Sequence, residues 1–252
     1  MKAQKVVFQN TLGENIAGRL DLPLDSEPIA YALFAHCFTC SKNLNAVSHI
    51  SRALTMQKIA ILRFDFTGLG ESEGDFSDTN FSSNIDDLGF AADFLANEYE
   101  APKILIGHSL GGAAVLQAAH KIPSSVAVAT IGAPYEPSHI NKLLESDRET
   151  IEKQGEAIVV LGGRKFKIKK QFLDDLELTN MKEIIRHLKR SLLVLHSPND
   201  NIVNIDNAAD IFQSAHHPKS FVSLDTADHL LSHDEDSLYA GAVIATWAQK
   251  YI

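Results

Sequence analysis

Cysteine is nearly absent: the 252 residues contain two, Cys37 and Cys40. Two cysteines exclude the disulfide framework of a small secreted domain and fit a reducing compartment, where both would be small buried thiols. No stretch approaches the ~20 apolar residues that a membrane-spanning helix needs. Residues 1–20, MKAQKVVFQNTLGENIAGRL, alternate apolar and polar side chains and lack the unbroken apolar run and small-residue cleavage site of a secretory leader. These absences predict a cytoplasmic protein with no membrane contact. Basic charge is also short, with 23 Lys and Arg against 32 Asp and Glu and a net charge of −9. Binding to nucleic acid rests on clustered cations that displace counterions, so nucleic acid is not an expected partner. One basic run, GRKFKIKK at 163–170, reads as a solvated hairpin or loop.

What is present is the composition of a globular protein, 45% apolar and 22% charged. A chain of this length builds its core without a metal or disulfide staple and is expected to form one domain over residues 1–252. Residues 1–22 read as two strands joined by a turn at TLGEN, an antiparallel start. Beyond Pro23 and Pro28 come short, almost continuous apolar runs at 31–36, 59–66, 103–108, 126–133, 191–196 and 220–225. Strands buried on both faces look like this. Helical periodicity fills 43–57, 82–98, 110–121, 203–214 and 235–250. That alternation predicts an α/β fold with a mostly parallel sheet and helices on both faces. The stretch from 134 to about 190 is too long for an ordinary connection and reads as a lid or small cap.

One corner of this pattern carries chemistry. In KILIGHSLGGAAVL, residues 103–116, an apolar strand turns within a few residues into a helix, with Ser109 at the turn and Gly107 and Gly111 on either side. A strand that reverses so sharply forces the corner residue toward positive φ, and the flanking positions crowd unless they lack side chains. The serine hydroxyl then projects at the carboxyl end of the sheet, where open α/β sheets keep their binding crevices. Serine needs a base to take its proton, and the base needs a carboxylate to orient it. Position selects them, since the chain holds 11 histidines. LLVLHSPNDNIVN places Asp200 just beyond one strand, and SFVSLDTADHLLS places His229 beyond the next. Asp225, Asp228 and Asp206 are competing acids with capping or turn roles as their plainer reading, and His233 is the alternative base. Main-chain donors for a developing oxyanion are expected from Leu110, at a helix N-terminus, and from Phe38, in the loop FAHCFTCSKN.

With these residues located, the chain resembles the α/β-hydrolase superfamily over essentially its whole length, most closely its small bacterial esterase-like and serine-aminopeptidase-like members. HCFTC resembles the His-Gly-X oxyanion loop, RFDFTGLGESEG the D-x-x-G-x-G-x-S turn, and GHSLGG the nucleophile elbow. HSPNDNIV and ADHLL are similar to the acid and base loops, in the chain order Ser109, Asp200, His229. The resemblance implies the α/β-hydrolase fold, and it places Asp65 and Ser72 in a structural turn beside the site. The family usually has glycine where Cys37 stands and often again at Cys40. FAHCFTCSKN is also similar to hydrolase domains fused in some bacteria to an OsmC-type peroxidase, which implies a functional link to such a partner.

The expected activity is a serine hydrolase that cleaves small to medium acyl esters through an acyl-enzyme, with no metal or organic cofactor. An amidase, peptidase or thioesterase on the same triad is the alternative, and a non-catalytic ligand receptor or interaction scaffold is the alternative of another class. Zinc at Cys37 and Cys40 is excluded because two thiolates without a second ligand pair leave a tetrahedral site half built. A redox role for the pair stays open.

Overall fold

The computed structural model describes residues 1–37, 41–138, 144–161 and 163–252. The chain opens with β1 (Lys2–Gln9) and β2 (Asn15–Leu22), paired antiparallel from Lys2↔Leu22 to Gln9↔Asn15. Asn10 makes the turn between them, its side-chain oxygen accepting from the amides of Leu12 and Glu14 at 3.0 Å each. There follow β3 (Ala30–Ala35), β4 (Ile59–Phe64), β5 (Ile104–His108) and β6 (Ala127–Ile131). A separate antiparallel hairpin is formed by β7 (Glu156–Leu161) and β8 (Arg164–Lys169). The chain then returns to the main sheet with β9 (Ser191–His196) and β10 (Lys219–Ser223). The eight strands lie in the order β1-β2-β4-β3-β5-β6-β9-β10, parallel from β4 to β10.

The continuous apolar runs are explained by burial on both sides of this sheet. Leu33, Leu105, Val128 and Val194 face one core, while their neighbours Phe34, Ile106, Ala129 and Leu195 face the other. The first core is closed by α2 (Phe81–Glu98) and α3 (Leu110–Ala118), together with buried residues between Leu144 and Leu188. The second is closed by α1 (Asn45–Met56) and α8 (Asp234–Ala248). Gly241 of α8 lies so close to α1 that a Cβ there would stand 2.8 Å from the Ile50 Cα. Burying each Leu, Ile or Phe of these layers contributes about 1.5–3 kcal/mol. The expected strands and helices are therefore present, with ends displaced by a few residues.

The stretch 134–190 holds α4 (Glu145–Gln154), the β7–β8 hairpin, α5 (Lys170–Leu178) and α6 (Met181–Arg186). Its inner side belongs to the first core. Phe166 and Phe172 pack against Phe76 with ring centroids 5.6 and 6.1 Å apart, and Asp175 accepts from the amide and the hydroxyl of Ser82 at 2.7 Å each. Its outer side leaves Ile158 and Val160 exposed opposite Lys167 and Lys165. The basic run expected as a solvated hairpin or loop is the strand β8 with the first residue of α5. Between β9 and β10, α7 (Asp206–Ser214) packs beside both strands. No helix among the described residues is long and apolar enough to cross a membrane.

The expectation of buried thiols is corrected at Cys37, which is buried but disulfide-bonded. Scarcity of cysteine therefore did not mean a free thiol. The step from free thiols to a reducing compartment falls away with it. Cys40 and Phe38 lie outside the described residues.

Candidate active site

β5 ends at His108, and the chain turns directly into α3 through Ser109, whose backbone sits at φ 56°, ψ −127°. Positive φ at a residue with a Cβ is strained and persists only where the surroundings enforce it. Here the enforcement is visible. The Ser109 amide donates to the Ile131 carbonyl at 2.8 Å, and its carbonyl accepts from Gly112 at 2.8 Å. A Cβ on Gly107 would come 2.2 Å from the Gly111 carbonyl oxygen, and one on Gly111 would come 2.3 Å from that of Ala35. Side chains at either position would push α3 away from the ends of β3 and β5. Ser109 itself remains half-buried, open enough to be reached.

Two loops at the same carboxyl edge meet it. His229, beyond the end of β10, brings Nε2 to 3.0 Å from the Ser109 Oγ, and its Nδ1 lies 2.7 Å from Asp200 Oδ2. Asp200, beyond the end of β9, is fixed through Oδ1 by the amides of Ile202 and Val203 at 2.9 and 2.8 Å. Burial works to raise the Asp200 carboxyl, but the His229 hydrogen bond and the two amides outweigh it and hold the group below the usual carboxylate range. An ionised Asp200 can only accept, so Nδ1 of His229 carries the ring proton and Nε2 accepts from the serine hydroxyl.

The competing residues lie elsewhere. Asp225 pairs with the Ser223 hydroxyl, Asp228 caps the amide of Ser232, and Asp206 opens α7. His233 precedes the first turn of α8. Leu110, the first residue of α3, is buried at 3% exposure beside Ser109, and first-turn amides have no intrahelical acceptor.

The loop after β3 is anchored on both sides of its undescribed centre. On one side the His36 Nδ1–H donates to the Cys37 carbonyl at 2.7 Å, and the ring stands edge-on to Phe66 at 5.1 Å. On the other, the Lys42 amide donates to Asp65 Oδ1 at 2.8 Å while its ammonium pairs with Asp65 and, at 2.8 Å, with Glu71. The Lys42 carbonyl accepts from Arg63, which is itself buried and paired with Asp21 at 2.9 Å. The Ser72 hydroxyl closes the turn on the Asp65 carbonyl at 2.5 Å and accepts from Ala17 at 2.9 Å. Asp65 and Ser72 thus sit in a supporting turn.

Two further residues of the site were not anticipated from sequence. Gly132, at φ 54°, lies against the acid–base pair, and a Cβ there would stand 3.2 Å from Asp200 Oδ2 and 3.5 Å from His229 Nδ1. Its signal was a glycine directly after an apolar strand, readable as a turn and no more. His196 closes the acid loop, its Nε2–H donating to the Val203 carbonyl at 2.8 Å. Nothing in SLLVLHSP marks that role. Among the described residues, no group of three or more His, Cys, Asp or Glu side chains is arranged to hold a metal ion. A cavity of about 440 Å³ lined by Pro123, Arg190 and His217 opens at the amino ends of β6, β9 and β10, the opposite end of the sheet from Ser109.

Comparison with known proteins bears on the fold and the family. A serine aminopeptidase (S33) family model matches residues 27–139. The chain is similar to the esterase domain of a Rhodothermus marinus protein, with 56% identity over 100% of this chain and 99% of that one and a TM-score of 0.83. It shares its fold with Est1E from Butyrivibrio proteoclasticus bound to ferulic acid, at 18% identity over 98% of each chain and TM-score 0.81. The same holds for mouse alpha/beta hydrolase domain-containing protein 10, at 20% identity over 98% of this chain and 99% of that one and TM-score 0.77. No curated protein matches the chain. Identity of that extent to a solved esterase domain, on the sheet order and serine turn described above, makes this chain a member of the α/β-hydrolase family.

Proposed function

We infer that the protein is a serine hydrolase of small to medium carboxylic esters. The observation that carries this reading is the unbroken relay from Ser109 through His229 to Asp200, at 3.0 and 2.7 Å. In the first half-reaction the Ser109 Oγ attacks the acyl carbon as its proton passes to His229 Nε2. The tetrahedral intermediate collapses, the C–O bond to the alcohol breaks, and His229 returns the proton to the leaving oxygen. Water then repeats the sequence against the acyl-enzyme, releasing the acid and restoring the serine. Asp200 keeps the imidazole in the productive tautomer and stabilises the imidazolium. The Leu110 amide, with Phe38 as the proposed second donor, meets the negative oxygen, and such donors are worth about 2.7–4 kcal/mol each. The 134–190 stretch is the proposed cap that selects the acyl group.

The esterase domain at 56% identity supports ester substrates. The serine aminopeptidase model favours a second reading, hydrolysis of amides by the same relay. Turnover of p-nitrophenyl butyrate by the purified protein tests the first, and Ser109→Ala should lower it roughly a millionfold while the protein stays folded. A panel of esters, thioesters and aminoacyl amides separates the two. Ester turnover that survives Ser109→Ala overturns the mechanism.

A further inference from the structure

His108, the residue directly before the serine, is buried at 3% exposure and takes no part in the relay. Its Nε2 lies 2.6 Å from the main-chain carbonyl of His229, and the two rings have centroids 5.1 Å apart. A carbonyl only accepts, so Nε2 carries the hydrogen and the ring is the donor.

We propose that His108 is a positioning residue, whose imidazole clamps the main chain of His229 to the end of β5 and so sets the distance between base and serine. The inference rests on the hydrolase reading above. The loop between β10 and α8 holds itself together by short local bonds, Ala227 to Leu224, Leu231 to Asp228 and Ser232 to the Asp228 carboxylate. Those bonds shape the loop, and its start is tied to the end of β9 by the Leu224 amide, which donates to the His196 carbonyl at 2.8 Å, and to the acid loop by Asn199, which donates to the Asp225 carbonyl at 2.9 Å. The His108 clamp fastens it at the base itself, because residue 108 grips the backbone of residue 229 while residue 109 meets its ring. Any tilt of β5 therefore carries serine and base together. Burial pushes the His108 imidazole down to about 4, with the charge of His229 as a smaller contribution, so the clamp stays neutral while His229 gains and returns a proton.

Three substitutions test this through the position of the donor. Gln places its Nε2 the same number of bonds from the backbone as the histidine Nε2, Asn places its amide one bond short, and Phe keeps the ring without a donor. In p-nitrophenyl butyrate hydrolysis, His108→Gln should hold kcat within about threefold of the parent, whereas His108→Asn and His108→Phe should lose about ten- to a hundredfold, with KM moving less than about twofold. Should the Phe variant fail to fold, the Gln and Asn pair decides. Gln and Asn variants of equal kcat, or a loss confined to KM, would overturn the proposal. The proton shared between His229 Nδ1 and Asp200, followed by NMR at low field, serves even if the parent proves inactive on esters. It should persist in His108→Gln and broaden away in His108→Asn, and the same signal in both would also overturn the clamp.

Discussion

At Gly132 a side chain would crowd the acid–base pair. Alanine there would place a methyl group 3.2 Å from Asp200 Oδ2 on a backbone already at φ 54°. Left-handed backbone costs a residue with a Cβ about 1–2 kcal/mol, and a displaced carboxylate misorients the imidazole. Gly132→Ala should lower kcat about tenfold or more and the melting temperature by ~2–8 °C, read by ester kinetics and thermal unfolding. Asp200→Asn is isosteric but would turn a hydrogen-bond donor or a neutral acceptor toward Nδ1. It should cost about ten-thousandfold in kcat with little change in Tm, and full activity would disqualify Asp200 as the acid. Ser109, Asp200 and His229 were legible in the sequence because each sits just past an apolar strand, and strand ends at one edge converge. Gly132 and His108 were not legible, since each acts on a loop distant in the chain and no local pattern encodes a partner 121 residues away; His196 reaches only to Val203, seven residues on, but nothing in its strand marks that bond.

The secondary elements were legible wherever local and global preferences agreed. The helix α2 shows why: Asn80 accepts from the Ser83 amide at 2.8 Å, and the Ser83 hydroxyl accepts from the Asn80 amide at 3.0 Å. This reciprocal cap starts the helix just where its apolar periodicity begins. Asn80→Ala should destabilise the fold by about 1 kcal/mol without altering ester turnover, as checked by urea unfolding beside kinetics. The 134–190 stretch was harder to read because its elements are short and its hairpin alternates, so it was recognisable only as too long for a connection. Its Phe166 and Phe172 answer Phe76, a residue in a turn that no periodicity marked.

The molecule as a whole should lose stability as pH falls. His36, His108 and His196 are all held below the ordinary imidazole range, chiefly by burial, so below pH ~6.5 the unfolded chain binds protons that the folded chain refuses. Asp87, raised by burial to about 6, works in the opposite direction by holding a proton in the folded state between about pH 4 and 6. Glu136, also raised chiefly by burial, opposes them in the same way, but the three imidazoles prevail and the free energy of unfolding should rise between pH 5 and 6.5. His108→Gln should remove about one proton, or ~1.4 kcal/mol per pH unit, from that slope. A flat profile in urea titrations would contradict the burial of these rings. The strand order has a last consequence, for the order of events on the ribosome. β9 joins the sheet by adding to β6, and β10 by adding to β9, so a nascent chain stalled near residue 190 carries the serine with neither partner able to take its proton. Such a polypeptide should ignore a fluorophosphonate that labels the released protein, its nucleophile kept unarmed until the loops carrying Asp200 and His229 have emerged.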